Sequence, residues 1–486
     1  MPTVRGERER LILGAVALFV LLAACYLGSI GLRASNGASI TGDEPFYLIT
    51  TQSLIDDGDL DLRQQYDRFS YRAFFDHNEP LWRQSGPMPD GRVLSPHDPG
   101  LSVYLVPGFA LGGLLGAQVQ MLLTTALLFA LTYALVARET QEAGMAWLAT
   151  LAVGLTATAF VYATEIYPEV PAGLCVVLAL LVLRRAVLDR PEVIALAVLV
   201  TLLAWLGTKY AALGALLALW TVVRADRRNM ALFLVLCGAS GVAYVWWHLA
   251  TFGGLTPYAV NLIYEGAPTV EVVREHVSIL DRAYRLIGLW VDVEFGVARW
   301  APVLLAAIPA LALLPRRGRL SGRVSLGTLV VALVVTQVLI ATFVAITMRG
   351  WWFPGRTLVT VLPLLAWPLV EVARRLPAWG QAVVGALGAY SVLVTIALAR
   401  AGAAGEVRIA VDPFALSSML FRAPAVLFPD YTAWTTHTVV THAVWSLAAI
   451  GATALLVRSS WAREPGPDPV LSFPDAPDTT VEAPRG

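Results

Sequence analysis

Two neighbouring acidic residues near the start of the chain have types and spacing suited to proton transfer. Asp43 and Glu44 stand in Thr41-Gly42-Asp43-Glu44-Pro45, just after an apolar run of membrane-spanning length. One carboxylate of such a pair could take a proton from an acceptor hydroxyl or amine while the other orients a substrate or a cation. The pair could equally be the acidic start of a helix, because carboxylates are favourable at a helix N-terminus. The dipeptide alone favours the helix start, and its position after a membrane span is what favours chemistry.

A second acidic motif, Glu165-Ile166-Tyr167-Pro168-Glu169, precedes another apolar run. Proline is common at the first position of a helix, so Pro168 places Glu169 in a first turn. Carboxylates at a bilayer boundary are costly, and a functional role is therefore as well supported as a simple helix cap. We expect Glu169 or Glu165 to face Asp43 across a cleft. No cofactor is required by these residues, and a divalent cation held by the carboxylates is an alternative that the sequence leaves open.

Three basic residues are candidates for binding an anion. Lys209 is the only lysine of the chain and interrupts a long apolar stretch. A lysine at the centre of a membrane span costs about 2.5–3.5 kcal/mol, so we expect an anionic partner unless the side chain extends to the membrane surface. Arg349 and Arg356 flank Trp351-Trp352-Phe353, and guanidinium groups pair well with phosphate oxygens. Interfacial aromatic residues are common in membrane proteins, so Arg356 is the stronger indication.

A histidine and a further carboxylate stand in Ser95-Pro96-His97-Asp98-Pro99-Gly100. His97 could assist proton transfer or bind a phosphate, although a single histidine in a loop is usually just solvated. The motif leads into residues 101–115, which are apolar but short and contain Pro107 and several glycines. We predict a half-helix that lies in the outer membrane interface or dips into it.

The elements that must position these residues are membrane helices. With 57% hydrophobic and 14% charged residues, a chain of 486 residues cannot be a soluble globule. The formal net charge of zero gives no attraction for nucleic acid. Apolar runs bounded by charge, glycine or proline predict twelve spans. These are residues 11–32, 118–137, 144–163, 169–187, 192–207, 210–223, 230–250, 297–314, 325–346, 357–373, 380–399 and 438–457.

Arginines cluster in alternate short connections between these spans, and such connections are cytoplasmic by the positive-inside rule. The complementary connections are therefore predicted to face outward: residues 33–117, 164–168, the neighbourhood of Lys209, 251–296, 347–356 and 401–437. All the candidate residues fall in or next to these connections. We predict an all-α, polytopic integral membrane protein with about twelve transmembrane helices. Residues 1–400 would form the transmembrane catalytic module with its outer loop 33–117, and residues 401–463 an outer loop and the last helix. Residues 464–486, rich in proline and acidic residues, would be a disordered cytoplasmic tail.

In their order and common sidedness, these motifs resemble those of the membrane-embedded glycosyltransferases of the GT-C fold. The similarity is to the branch of protein O-mannosyltransferases and aminoarabinose transferases, and it covers the first six spans best. Asp43-Glu44 matches an acidic pair after the first helix, and His97-Asp98-Pro99 matches the segment that begins a juxtamembrane helix. The resemblance implies a GT-C-like fold with juxtamembrane helices in the first outer loop, and Asp43 as the catalytic base.

Three further matches and two departures complete the resemblance. Glu169 corresponds to an acidic residue of the second outer loop, and Thr208-Lys209 to a Thr-Lys motif at an outer helix end. Gly355-Arg356 is similar to the phosphate-contacting arginine of some members. The family usually has aspartate where Glu169 stands, and a double proline where His97-Asp98-Pro99 stands. These departures bear on the acceptor chemistry.

The resemblance implies an enzyme that transfers a hexosyl or pentosyl group from a polyprenyl-phosphate-linked donor to a lipid, glycan or protein acceptor. We expect a multi-pass protein of the bacterial inner membrane with its active site on the outer face. A transporter or flippase of an anionic lipid-linked substrate is the alternative, although we see no internal repeat of the kind common in transporters. The expected catalytic residues are Asp43, Glu44 and Glu169, and the expected substrate-binding residues are Lys209, Arg356, Glu165, His97 and Arg349.

Overall fold

The computed structural model describes residues 4–261, 278–316 and 325–461, and nearly all of their apolar segments are helical. Within these ranges the backbone forms no strand, only an isolated antiparallel bridge between Ser85 and Asn261. The predicted all-α fold is confirmed. The predicted tail 464–486 and part of the predicted outer loop 251–296 lie outside the described residues.

The α-helices of the described ranges are α1 (Val4–Tyr26), α2 (Glu44–Asp56), α3 (Arg63–Asp67), α4 (Gly100–Thr140), α5 (Ala143–Gly154), α6 (Ala157–Tyr162), α7 (Glu169–Leu183), α8 (Arg190–Leu206), α9 (Ala211–Arg224), α10 (Arg227–Phe252), α11 (Ile279–Arg282), α12 (Arg285–Val291), α13 (Val297–Trp300), α14 (Leu304–Ala310), α15 (Leu326–Leu339), α16 (Ala366–Ala373), α17 (Ala378–Ala403), α18 (Met419–Arg422) and α19 (Thr436–Trp461). Short 3-10 turns join several of them.

Half of the predicted spans correspond to helical segments long and apolar enough to cross a membrane. In the described part of the chain these segments are Arg8–Ser29, Gly100–Thr140, Arg227–Val260, Leu326–Val344, Ala378–Ala403 and Thr436–Ser459. The remaining predicted spans coincide with shorter or interrupted helices, such as α7 and α16. Proline is one cause of the interruptions, because it removes a backbone hydrogen bond and clashes with the preceding turn.

Helices α10 and α19 have almost no buried residues. Large apolar side chains on them, such as Trp246 and Leu447, are exposed on the molecular surface. An apolar surface that runs the length of a helix is unfavourable in water and is matched by lipid, where a helix satisfies its own backbone groups. The molecule is therefore an all-α, polytopic membrane protein.

The long helix α4 is two helical arms that fold back on each other. Gly112 and Gly113 have non-helical backbone angles, and Gly113 has a φ of +55°. Across the reversal, the Gly108 N–H donates to Gln120 Oε1 at 2.8 Å and Gln120 Nε2 donates to the Tyr104 carbonyl at 2.6 Å. The first arm, at 1.5 Å per residue, is roughly 17 Å long, about half of the bilayer core. A separate half-helix before the second span is thus present, as predicted.

The half-helix packs on α2, so the N-terminus of the half-helix lies beside the N-terminus of α2. Ser102 Oγ donates to the Tyr47 carbonyl at 2.9 Å, and Thr51 Oγ1 donates to the Ser102 carbonyl at 3.1 Å. Asp43 immediately precedes α2, and His97 and Asp98 precede the half-helix. The packing of these two helices therefore brings the first acidic motif and the histidine motif together.

Candidate active site

The turn that carries Asp43 is pressed against two other loops. Gly42 has a φ of +61°, which favours glycine. A Cβ atom at Gly42 would lie 2.7 Å from the Tyr167 hydroxyl and 2.9 Å from the Trp351 carbonyl oxygen. Glycine is therefore required here by both backbone conformation and space. Three segments far apart in sequence, around residues 42, 167 and 351, meet at this point.

Glu44 ties two of these loops together. Its Oε2 accepts the Thr41 N–H and its Oε1 accepts the Ile166 N–H, both at 3.0 Å, and its side chain is buried. Burial raises the Glu44 pKa to about 7, although the two backbone hydrogen bonds act in the opposite direction. Both oxygens are occupied by backbone donors, so this carboxyl group fixes the position of Asp43 relative to the 165–169 motif.

Four charged side chains, Asp43, Glu169, Lys209 and Arg356, form one connected group, which we call the first ionic cluster. Arg356 Nη2 lies 2.7 Å from Asp43 Oδ2, and Arg356 Nε lies 3.2 Å from Glu169 Oε1. Lys209 Nζ lies 2.6 Å from the same Glu169 oxygen. The exposed side-chain fractions are 1% for Glu169, 9% for Arg356, 26% for Asp43 and 37% for Lys209. The cluster thus has a buried middle and two ends open to solvent.

The neighbouring cations control the charge of Asp43. Burial alone would raise its pKa, but the positive charge of Arg356 opposes this, with His97 and Lys209 adding to the effect. The Asp43 pKa is lowered to about 2 as a result. Asp43 is therefore ionised at neutral pH in this arrangement.

Arg356 is held in place by aromatic side chains and by the backbone that precedes it. The Tyr162 hydroxyl donates to the Phe353 carbonyl at 2.6 Å, and Gly355 has a φ of +89°. The guanidinium carbon of Arg356 then lies 3.8 Å from the centre of the Tyr167 ring, a cation–π contact. This support fixes a guanidinium group that is almost completely buried.

His97 extends the cluster on the Asp43 side. Its Nε2 lies 2.8 Å from Gln84 Oε1 and 3.8 Å from Asp43 Oδ1, and its ring stacks against Tyr47 with centres 4.9 Å apart. With the amide oxygen of Gln84 facing the ring, Nε2 carries the hydrogen. Burial lowers the His97 pKa, with Asp43 acting in the opposite direction. The His97 ring is therefore held by Gln84 and lies beside the open end of Asp43.

Glu165 and Arg349, two further predicted site residues, are not bonded to this cluster. Glu165 is buried beside Glu44, and its Oε2 has no hydrogen-bond partner among the described residues. Burial and the charge of Glu44 raise the Glu165 pKa well above its ordinary value. Arg349 pairs elsewhere: its Nη2 lies 2.7 Å from Asp292 Oδ2. The structure therefore places Arg349 apart from Asp43.

The structure brings together most of the residues expected from the sequence. Asp43, Glu169, Lys209 and Arg356 are directly connected, with Glu44, Glu165 and His97 around them. Sequence reasoning assigned no role to Tyr167 and did not consider Gln84 or Tyr162. No local pattern marks these three, because each acts through a contact with a residue distant in sequence.

The charged residues are arranged as ion pairs. Among the residues that the structure describes, no group of three or more histidine, cysteine, aspartate or glutamate side chains is placed to hold a metal ion. What the cluster offers is two carboxylates, one of them the ionised Asp43, paired with two cations. This combination can bind an anionic group and accept a proton next to it.

No protein-family model and no curated protein matches this chain. Two solved structures are similar to it: ArnT from Cupriavidus metallidurans in the apo state, at 18% identity and a TM-score of 0.47, and the same protein bound to undecaprenyl phosphate, at 17% identity and a TM-score of 0.46. Each match covers 90% of this chain and 78% of the other. With both TM-scores below 0.5, neither likeness assigns an activity to this chain.

Proposed function

We propose that the protein is a membrane glycosyltransferase of the GT-C type. It takes a sugar from a polyprenyl-phosphate-linked donor and transfers it to an acceptor at the outer face of the membrane. The observation that carries the proposal is the first ionic cluster, in which four separate segments supply two cations and two carboxylates. The cluster is open at Asp43 and Lys209, the two residues that would meet the acceptor and the donor.

Lys209 and Arg356 are suited to the phosphate of such a donor. An ammonium group has three N–H donors, and in this structure Glu169 takes one of those of Lys209, whose side chain is partly exposed. Arg356 uses Nε and Nη2 for Glu169 and Asp43. A donor phosphate would replace some of these pairings with its own oxygens. Until the donor binds, the two cations needed for phosphate binding are thus paired with carboxylates.

The transfer itself requires one bond to form and one to break. The acceptor hydroxyl or amine attacks the anomeric carbon, and the bond between that carbon and the phosphate oxygen breaks. The electron pair of that bond leaves with the polyprenyl phosphate, whose charge Arg356 and Lys209 stabilise. The acceptor proton passes to Asp43, on Oδ1, because Oδ2 is held by Arg356. Direct attack from the opposite side inverts the configuration at the anomeric carbon.

The basicity of Asp43 would depend on the donor. A carboxylate with a pKa of about 2 is a weak base. Arg356 and Lys209 lower that pKa, and a bound phosphate would neutralise part of their charge. Donor binding therefore raises the Asp43 pKa. Asp43 becomes an effective base only when a sugar is present to be transferred.

The test is transfer from a panel of radiolabelled polyprenyl-phosphate hexoses and pentoses by the purified protein in proteoliposomes. We expect one donor to be used by the wild type, Asp43→Asn to bind it without transfer, and Arg356→Ala to lose donor binding. Asp90→Asn is the matched control, because Asp90 is an exposed residue of the same outer loop, paired with Arg92. Full activity of Asp43→Asn would remove the proposed base. Movement of the donor across the membrane without transfer would favour the flippase instead.

A further inference from the structure

Asp98 connects three segments next to Lys209. Its Oδ2 accepts the Thr208 N–H at 3.1 Å and the Thr208 hydroxyl at 3.3 Å. Its Oδ1 accepts the Tyr244 hydroxyl at 3.0 Å. The Thr208 and Tyr244 hydroxyls are themselves 3.2 Å apart. A single carboxylate thus joins the start of the half-helix, the turn before α9, and α10.

A buried histidine stands behind this carboxylate. His248 is fully buried, and its Nδ1 lies 2.8 Å from the Tyr244 carbonyl oxygen. Its Nε2 lies 3.6 Å from Asp98 Oδ1 and has no hydrogen-bond partner among the described residues. The ring also packs against the Tyr244 ring at a tilt, with centres 3.8 Å apart. His248 therefore limits where Asp98 and Tyr244 can lie.

The position of Lys209 depends on this network. Lys209 is the middle residue of a 3-10 turn, Thr208–Tyr210, between α8 and α9. A short turn leaves the backbone less constrained than a helix does, so contacts with neighbouring segments determine its position. The same loop that supplies Asp98 lies directly on the end of α8, since a Cβ atom at Gly100 would be 2.2 Å from the Trp205 carbonyl oxygen.

Adjacent residues of one loop therefore reach both open ends of the first ionic cluster. His97 faces Asp43, with 3.8 Å between Nε2 and Oδ1. Asp98 holds Thr208, the residue before Lys209. One loop therefore lies against both the proposed base and the residue before the proposed phosphate-binding lysine.

We infer that Asp98 is a positioning residue: its carboxylate, held by Tyr244, fixes Thr208 and thereby sets the Lys209 ammonium opposite Glu169, ready for the donor phosphate. The inference rests on the proposed function for its kinetic consequence. Its structural part, that Asp98 controls Lys209, stands independently of which substrate is bound.

The single lysine of the chain permits a direct test. Reductive methylation with ¹³C-formaldehyde labels Lys209 and the N-terminal amine, which give separate methyl signals in NMR spectra of the detergent-solubilised protein. In the wild type we expect the Lys209 signal to be broad and displaced from that of a free dimethyl-lysine. In Asp98→Asn the signal should move towards the free position and sharpen. Asp90→Asn should leave it unchanged, since Asp90 pairs with Arg92 of its own loop.

The unlabelled protein gives the second readout. Losing a hydrogen bond to a charged group typically costs enough to change affinity about tenfold or more. We expect Asp98→Asn to raise the KM for the donor by about tenfold, while kcat changes much less. Thr208→Val should also raise the KM for the donor. Thr208→Ser, which keeps the hydroxyl group, should show the wild-type KM.

If Asp98→Asn fails to fold, Tyr244→Phe is tested in its place, because it removes the hydroxyl group that donates a hydrogen bond to Asp98. Its matched control is Tyr390→Phe, whose hydroxyl contacts the Leu420 carbonyl on α18. An unchanged Lys209 signal in folded Asp98→Asn or Tyr244→Phe would overturn the inference, as would a lowered kcat with an unchanged KM. If the wild type uses no lipid-linked donor, the proposed function fails, and the Lys209 signal still decides the role of Asp98.

Discussion

The loop of residues 347–356 contributes one arginine to each of two ionic clusters that differ in how completely their buried carboxylate is hydrogen-bonded. Arg356 belongs to the first ionic cluster, where two cations meet two carboxylates. Arg349 belongs to the second ionic cluster, which we define as Arg349, Asp292, Glu294 and Asp430. There Arg349 lies 2.7 Å from Asp292 and 3.5 Å from both Glu294 and Asp430.

The buried carboxylate of the second ionic cluster has both its oxygens occupied. Asp292 is fully buried; its Oδ2 meets Arg349, and its Oδ1 accepts the backbone N–H groups of Glu294 and Phe295. In the first ionic cluster, Glu169 Oε2 is buried and has no hydrogen-bond partner among the described residues. A buried carboxylate with both oxygens satisfied serves to join loops. A buried carboxylate with one unsatisfied oxygen, between two cations, keeps the capacity to exchange partners, and this difference separates a structural joint from a candidate active site.

The largest expected effect is the loss of transfer in Asp43→Asn. The amide cannot accept a proton, and a positioned general base typically contributes about 10²- to 10⁴-fold to the rate. We expect kcat to fall by that range while the donor still binds, as measured by single-turnover transfer. A decrease of less than about threefold would separate the first ionic cluster from the chemistry.

Arg349→Met should act on stability instead. It would leave the Asp292 carboxylate buried without its cation, and breaking a buried ion pair in this way costs about 3–5 kcal/mol of unfolding free energy. Thermal unfolding in detergent measures the change. Arg92→Met is the control, because its partner Asp90 is exposed and such pairs contribute little. A stable Arg349→Met protein with weakened donor binding would instead make Arg349 the substrate-binding residue that its sequence motif suggests.

Arg356→Lys keeps the charge and removes the planar fork that meets Asp43 and Glu169 together. We expect donor affinity to fall by about 10- to 100-fold, the equivalent of one or two charge-assisted hydrogen bonds. Equilibrium binding of a fluorescent polyprenyl phosphate measures it. Arg349→Lys is the matched comparison, and equal losses in the two variants would abolish the distinction between the clusters.

Lys209→Met should have a smaller effect on donor affinity, because its side chain is more exposed than that of Arg356. We expect a decrease of about tenfold at low salt that shrinks as ionic strength rises, since exposed charges are screened. Lys209→Arg should recover most of the affinity. The salt series on the same binding assay provides the measurement.

The smallest expected effect is on the pH dependence of stability. The Glu44 pKa is raised from its ordinary value of 4.5 to about 7, so the folded protein binds this proton more tightly than the unfolded chain. Its contribution is therefore complete below pH 4.5 and lost as pH rises through 7. Asp43, lowered to about 2, has the opposite sign and loses its contribution as pH falls towards 2. Thermal unfolding between pH 5 and 8 should show a decline that Glu44→Gln removes.

The sequence predicted the helical membrane fold and most of the cluster for one physical reason. A charged residue beside an apolar run is costly unless it is paired, so Asp43, Glu169, Lys209 and Arg356 were conspicuous before any contact was known. Apolar runs also located the helices, but not where they break, because local glycine and proline geometry decides that, as at Gly112 and Gly113. The partner of each arginine could not be predicted, because nothing in the Arg349 motif assigns this residue to Asp292 instead of Asp43.

The loop that links the two clusters has a consequence for how the chain can vary over evolution. Both ends are fixed, at Arg349 by Asp292 and at Arg356 by Asp43, and Gly350 leaves room for the Trp352 ring, which a Cβ atom would meet at 2.2 Å. An inserted or deleted residue between the two arginines would shift one of them out of register. Related chains that keep both clusters should therefore differ here by substitution and preserve the spacing, so that the number of intervening residues becomes a signature of the site.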